Sequence, residues 1–180
     1  MRIAVVLGST RPGRRSEAVA QWVLKVANSR ADATFDLIDL AEVDLPMLDE
    51  PMPAIVGQYQ HEHTREWASR IASYDGFVFI TPEYNHSFPA VLKNAIDYLY
   101  AEWNDKAAGF VGVGGSGGLR AVEQLRLVLA ELKVATVRTQ VAFGGGDLEG
   151  EPQHHDTLHV MLDELVAWAS ALRSIRAVAA

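Results

Sequence analysis

The sequence predicts a doubly wound α/β domain in which helices cover both faces of a five-stranded parallel sheet. Two observations support this fold class. Five short, β-rich apolar runs alternate along the 180 residues with five longer stretches of helical periodicity. The short runs are continuously apolar rather than alternating, as expected for strands that are buried on both faces. The sequence shows no internal repeat or linker, so one domain is predicted for residues 1–180.

The first half of the chain contains the first three predicted strands. Residues 3–7 form a continuous apolar run, and a helix is predicted to begin at Ser16 with Val19, Val23 and Val26 on one face. Aromatic and β-branched residues indicate the next strands, and prolines indicate a surface loop. The elements that follow are a strand at 33–40, a loop at 46–53, a helix at 61–73 and a strand at 76–80.

The second half repeats the alternation. Pro89 suits the first turn of a helix, because that turn does not need its backbone N–H. Val122, Leu125 and Leu129 recur on one stripe of another helix. The predicted elements are a helix at 88–103, a strand at 107–114, a helix at 119–132, a strand at 135–143 and a helix at 154–173. Trp22, Trp67 and Trp168 lie in helical apolar patterns and are predicted to be buried.

The composition narrows the classes of function. The chain has no cysteine, which excludes disulfides, cysteine metal sites and thiol nucleophiles. Its net charge of −7 disfavours nucleic acid as a partner. The apolar runs are too short to span a bilayer, and no signal-peptide pattern precedes the first strand. A cytoplasmic protein without membrane or nucleic-acid partners is therefore expected.

The loop at 8–16 joins the first strand to the first helix. In doubly wound sheets ligands bind beyond the carboxyl ends of the strands, near the switch point in strand order. In the predicted order 2-1-3-4-5, the loops after strands one, three and four meet there. A helix N-terminus offers free N–H groups to an anion, while Ser9 and Ser16 add hydroxyls and Arg11 adds charge.

Two known phosphate-binding motifs nearly fit this loop. Arg14 and Arg15 stand where a Walker A loop has Lys and then Ser or Thr. Thr10 stands where a dinucleotide fingerprint has its middle glycine. What remains suits the single terminal phosphate of a mononucleotide.

The loop at 81–87 is predicted to border a flat heteroaromatic ring. Pro82 and Tyr84 can supply an apolar wall. The backbone N–H groups of Glu83, Tyr84 and Asn85 are predicted to address ring atoms, and the Asn85 amide to brace the loop. Ser87 is a natural N-cap for the helix that follows. The glycines of the loop at 114–118 would let the backbone approach the same ring.

These loops resemble the NADPH-dependent FMN reductase family, which includes quinone, azo-dye and chromate reductases. The resemblance spans about residues 1–146. It rests on the motifs Gly8-Ser9-Thr10-Arg11, Pro82-Glu83-Tyr84-Asn85, Val91-Leu92-Lys93-Asn94-Ala95-Ile96-Asp97 and Gly117-Gly118-Leu119-Arg120-Ala121.

The resemblance implies a flavodoxin-like three-layer sandwich that binds FMN. It also implies NADPH or NADH as electron donor, and two electrons passed through the flavin to quinones, azo compounds, metal oxyanions or free flavin. Ser9, Arg11 and Ser16 would hold the phosphate, with Arg15 a more favourable candidate than Arg14. The ring would be bordered by Pro82, Glu83, Tyr84 and Asn85, and on its other edge by Gly115, Ser116 and Gly117.

The flavin itself does the chemistry in such an enzyme, so no catalytic side chain is predicted. The resemblance further implies a homodimer or homotetramer. Tyr98 and Trp103 are interpreted as residues that face a partner subunit.

Three alternatives stay open. Gly114-Gly115-Ser116-Gly117-Gly118 matches a nucleophile elbow, and Asp147, Glu149, His154, His155 and His159 follow it in the order of a serine-hydrolase triad. A flavodoxin-type electron carrier would share the fold, although Arg11 and the exposed 82–85 loop argue against it. His155 and His159 have the i, i+4 spacing of a zinc motif, but no third ligand is evident, so no metal is predicted.

Overall fold

The carboxyl ends of five parallel strands lie along one edge of a sheet in the order β2-β1-β3-β4-β5. The structure is a computed structural model, and it describes residues 1–147 and 153–179. The strands are β1 (Arg2–Leu7), β2 (Thr34–Asp39), β3 (Gly76–Pro82), β4 (Ala107–Val113) and β5 (Ala135–Phe143). The helices are α1 (Ser16–Ala27), α2 (Leu40–Val43), α3 (Glu62–Ala72), α4 (Ala90–Asp97), α5 (Leu119–Glu131) and α6 (His155–Ala179), with 3-10 turns at Ala54–Val56 and Ala101–Trp103.

Two apolar clusters hold the helices on the sheet. Strand residues such as Val5 and Val78 face α1 and α6 on one side. Their neighbours, such as Ala4 and Phe77, face α3, α4 and α5 on the other. Both faces of each central strand are therefore buried, which confirms the predicted three-layer, flavodoxin-like sandwich and its strand order.

The helix predicted at 88–103 is shorter than expected. Helix α4 ends at Asp97, and the chain folds back so that Trp103 enters the core. Its indole N–H donates to the carbonyl oxygen of Ile96 at 3.1 Å, and its ring packs edge-on against Phe77 with the centroids 4.9 Å apart. The Tyr98 hydroxyl donates to Asp49 Oδ1 at 2.9 Å. Both aromatic side chains are buried within the chain, so the interpretation that they face a partner subunit is wrong.

Other differences are local. Strand β3 continues through Thr81 and Pro82, which were predicted to lie in a loop. Ser87 does not cap α4, because α4 begins only at Ala90 and the Ser87 hydroxyl bonds Gln124 instead. Trp67 is buried as predicted, and Trp22 is partly buried against the cluster on the α1 and α6 side. Trp168 is 49% exposed on α6, so the prediction for that residue is wrong.

The β1–β3 contact continues into the first loop. The N–H of Gly8 donates to the carbonyl oxygen of Ile80 at 2.9 Å. A Cβ at position 8 would lie 2.9 Å from Leu92 Cδ2, so glycine is what lets α4 pack closely here. In the part of the chain that is described, no helix is both long and apolar enough to cross a membrane.

Candidate functional site

A cavity of about 360 Å³ opens at the carboxyl edge of the sheet, where the loops after β1, β3, β4 and β5 meet. Its size is that of a small-molecule site. Its lining combines arginines and hydroxyls on one side with proline, tyrosine and glycine on the other. The lining residues are Ser9, Arg11, Gly13, Arg14, Arg15, Ser16, Pro82, Glu83, Tyr84, Val113, Gly114, Gly115, Gly144 and Gly145.

Most of the predicted site residues meet in this cavity. Those that line it are Ser9, Arg11, Arg15, Ser16, Pro82, Glu83, Tyr84 and Gly115. Asn85, Ser116 and Gly117 are not among the residues that line it. Asn85 and Ser116 are exposed, and Gly117 is buried within the loop after β4. In the loops after β3 and β4, the lining of the cavity ends at Tyr84 and Gly115, one or two residues before the last residues that the sequence predicted for the site.

The loop after β1 provides the polar end of the cavity. Ser16 begins α1, and its buried Oγ has no hydrogen-bond partner in the part of the chain that the structure describes. A buried hydroxyl of this kind usually has a partner, so its position at a helix N-terminus indicates an anion-binding site. Arg11 and Arg15 are exposed beside it, and the Arg15 guanidinium reaches the carbonyl oxygen of Gly145 at 3.5 Å.

Arg14 is engaged differently from its neighbour. Its guanidinium bonds both carboxylate oxygens of Asp39, at the end of β2, and also donates to the carbonyl oxygen of Ser9 at 2.6 Å. Arg15 keeps an exposed side chain toward the cavity. The contrast agrees with the preference for Arg15 over Arg14 as a direct anion ligand.

A side-chain hydrogen bond joins the polar end of the cavity to its apolar wall. Ser9 Oγ and the Tyr84 hydroxyl are 2.9 Å apart. Ser9 is buried, and its hydroxyl also accepts from the N–H of Arg11 at 3.4 Å. The loops after β1 and β3 are therefore linked across the floor of the site.

The loop after β3 is a tight turn rather than a row of free donors. The N–H of Glu83 donates to the carbonyl oxygen of Val113, and the N–H of Tyr84 donates to that of Ser87. The prediction that both N–H groups address a ring is therefore wrong, because continued strand pairing and the turn use them. Asn85 and His86 occupy the two central positions with φ of 49° and 74°.

Gln124 of α5, rather than the Asn85 amide, braces this turn. Its amide donates to the carbonyl oxygen of His86 at 2.6 Å and accepts from the Ser87 hydroxyl at 2.6 Å. A left-handed conformation is unfavourable for a residue such as His86, so a turn of this kind needs support from outside. The helix that follows β4 thus holds the loop that follows β3.

Glu83 makes a second contact between the same two elements. Its carboxylate accepts from the Arg120 guanidinium at 2.7 Å and from the Arg120 N–H at 3.1 Å, so it caps the N-terminus of α5. These hydrogen bonds from Arg120 hold the pKa of the Glu83 carboxyl below its usual value.

Replacing Glu83 by glutamine should reduce the acid sensitivity of folding. A carboxyl whose pKa is lower in the folded state stabilises the protein above its unfolded pKa, and that stabilisation is lost as pH falls through the folded pKa. The wild-type protein should therefore melt at a higher temperature than Glu83→Gln, and this difference should be largest at about pH 7 and smallest at about pH 3. Glu123→Gln removes an exposed carboxyl on α5, the helix that Glu83 caps, and is the matched control. A difference that stayed constant with pH would contradict this prediction.

The loop after β4 contributes backbone to the cavity. The N–H groups of Gly115 and Ser116 form no hydrogen bond within the described residues, whereas those of Gly114 and Gly117 bond Phe143 and Gly114 carbonyls. Gly115 lines the cavity, and no atom of the described residues lies within 4 Å of where its Cβ would be. A ligand can therefore approach the backbone at this position.

The loop after β5, which was not predicted to belong to the site, also lines the cavity. Gly144 and Gly145 line the cavity, because all five strands end at the same edge of the sheet. The glycine run at 144–146 directly after a predicted strand was the signal that could have identified it.

The hydrolase alternative gains no support from the geometry. In residues 1–147 and 153–179, Ser116 forms no hydrogen bond with a histidine. Asp147 accepts from the N–H of Gly144, with His154 Nε2 3.4 Å away, while His155 faces the Trp22 indole. Glu149 lies outside the described residues. The described residues contain no group of three or more His, Cys, Asp or Glu side chains that could hold a metal ion.

Comparison with known proteins gives one consistent family. A model of the NADPH-dependent FMN reductase family matches residues 1–147. An NAD(P)H-dependent FMN reductase of Schizosaccharomyces pombe is 42% identical over 143 residues, which cover 78% of this chain and 72% of that protein. A quinone reductase of Escherichia coli K12 is 30% identical and covers 98% of this chain and 97% of its own length.

A solved structure supports the fold. The flavoenzyme FerB of Paracoccus denitrificans, an NAD(P)H:(acceptor) oxidoreductase, superposes with a TM-score of 0.75 at 24% identity. The alignment covers 94% of this chain and 97% of that one.

Proposed function

Because the chain belongs to the NADPH-dependent FMN reductase family, we propose that its carboxyl-edge cavity is the FMN site of an NAD(P)H-dependent oxidoreductase. The phosphate would lie on the loop after β1, and the ring against the loops after β3 and β4. The observation that carries this assignment is the buried hydroxyl of Ser16 at the N-terminus of α1, which has no hydrogen-bond partner among the described residues.

The residues of the polar end fit a phosphate. Within residues 1–147 and 153–179 no group accepts from Ser16 Oγ, and the N-terminus of α1, where Ser16 lies, carries free backbone N–H groups. Arg11 and Arg15 bring positive charge to the cavity in a chain whose net charge is −7. We propose that these three side chains hold the phosphate, and that Ser9 supports them through its contact with Arg11.

The other walls fit a flat aromatic ring. Pro82 and Tyr84 form one side, and the Gly115 backbone has space in front of it. The N–H group of Gly115 forms no hydrogen bond within the described residues, so it is available to donate to a ring carbonyl oxygen. When bound, FMN supplies the transfer of two electrons from NAD(P)H to an acceptor, so this chain needs to bind and orient rather than to supply a nucleophile.

Quinones and azo compounds are the acceptors that the family supports, since its relatives include quinone reductases and an NADPH azoreductase. We extend the proposal to metal oxyanions and free flavin, because an open ring face selects its acceptor weakly. We also propose a single domain that forms a homodimer or homotetramer; exposed apolar side chains such as Leu127, Trp168 and Ile175 are available for contacts. The cytoplasmic location stays a prediction.

An absorbance spectrum of the purified protein tests the proposal directly. After incubation with FMN and removal of free flavin, the protein should retain the visible flavin bands. NADPH should bleach the bands, and an added quinone should restore them. Protein that keeps no flavin, and that oxidises no NAD(P)H with quinone or ferricyanide, would contradict the proposal and make an esterase assay with Ser116→Ala the next experiment. A stable one-electron stage in a reductive titration would instead favour an electron carrier.

A further inference from the structure

The ion pair between Arg14 and Asp39 is largely buried and joins a residue of the cavity lining to the end of β2. The Arg14 and Asp39 side chains are only 12% and 8% exposed. Asp39 ends β2 beside Leu7 of β1, and its carboxylate also accepts from the N–H of Ala41 at 2.9 Å. The acid is thus held by two elements, and Arg14 reaches it from the loop after β1.

The donors of Arg14 are largely used inside the protein. A guanidinium has five N–H donors and no acceptor. Nη1 donates to Asp39 Oδ1 at 2.9 Å and to the Ser9 carbonyl oxygen at 2.6 Å, and Nη2 donates to Asp39 Oδ2. Nε lies 3.6 Å from a carboxylate oxygen of Glu17. The positive charge therefore has its counter-ion already, although Arg14 lines the cavity.

The contacts continue from Arg14 to the apolar wall. Arg14 holds the backbone of Ser9, and the Ser9 hydroxyl bonds the Tyr84 hydroxyl at 2.9 Å. A continuous chain of hydrogen bonds thus runs from the end of β2, through the loop after β1, to the loop after β3.

We propose that Arg14 and Asp39 are positioning residues that set the shape of both the phosphate and the ring parts of the cavity, and that Arg14 is not a phosphate ligand. This inference rests on the proposed function. It distinguishes Arg14 from Arg11, whose side chain forms no ion pair or hydrogen bond within the described residues. Loss of the pair should weaken the binding of any flavin, whereas loss of Arg11 should weaken the binding only of a flavin that carries a phosphate.

Binding of FMN and of riboflavin, which lacks the phosphate, separates the two roles. The charge-neutral double variant Arg14→Gln/Asp39→Asn should bind both flavins about fivefold or more weakly, with the ratio of the two affinities unchanged within about threefold. Arg11→Ala should instead lower the affinity for FMN relative to the affinity for riboflavin. Tyr84→Phe removes only the hydroxyl at the end of the chain and should weaken both flavins about 2- to 10-fold, which tests the same link without disturbing the ion pair.

The matched control is Arg30→Gln, which breaks a remote ion pair with Asp32 and Asp163 at a side chain that is 14% exposed, close to the exposure of Arg14. It should leave both affinities unchanged. A ratio that falls in the double variant as it does in Arg11→Ala, or two unchanged affinities, would overturn the positioning role. Wild-type protein that binds neither flavin would instead contradict the proposed function itself.

Discussion

Replacing Gly112 by alanine should destabilise the protein by about 3 kcal/mol, the upper range for overpacking in a rigid core. A Cβ on Gly112 would lie 2.2 Å from the carbonyl oxygen of Gly117. Gly117 cannot retreat, because a Cβ there would already lie 2.8 Å from Ala142 Cβ on β5. The loop after β4 is therefore packed between two strands, and the added methyl must displace backbone. For a chain of this length the expected fall in melting temperature is about 6–12 °C.

Gly115→Ala is the matched control in the same loop, since its Cβ position has no neighbour within 4 Å among the residues that the structure describes. We expect its melting temperature to stay within a degree or two of wild type, as for substitutions that contribute about 0.5 kcal/mol or less. Thermal unfolding of the three proteins checks the prediction. Equal melting temperatures for the two variants would contradict the close packing at Gly112.

Replacing Arg11 by alanine should weaken the free energy of FMN binding by about 1.5–3 kcal/mol, the value of a hydrogen bond to a charged group. Arg11 is exposed at the polar end of the cavity and has no intramolecular counter-ion within the described residues, so its charge is available to a phosphate. Titration of the apoprotein by flavin fluorescence measures the change. The loss should diminish at high salt, because an exposed charge is screened.

Arg65→Ala controls for the general loss of a positive charge. Arg65 is exposed on α3, pairs with Glu62 and does not line the cavity. FMN should bind this variant as it binds wild type. Unchanged FMN affinity in Arg11→Ala would contradict the assignment of the phosphate to the loop after β1.

The order of the elements was predictable from the sequence because each is a local signal. Parallel strands buried on both faces are continuous apolar runs such as residues 3–7, and glycine or proline punctuates the loops between them. The error at α4 shows the limit of this reasoning. Helical periodicity continues to Trp103, but burial of that indole against Phe77 turns the chain after Asp97.

The sequence by itself determined the fold class, the strand order and the fact that the loops after β1, β3 and β4 meet. Only the tertiary structure decided which side chains pair. Arg14 and Arg15 are neighbours in sequence, yet one bonds Asp39, 25 residues away, and the other faces the cavity. Glu83 accepts a hydrogen bond from Arg120, which lies 37 residues away in the sequence. Such partners meet because parallel strands bring distant loops to one edge of the sheet, and no local pattern records that proximity.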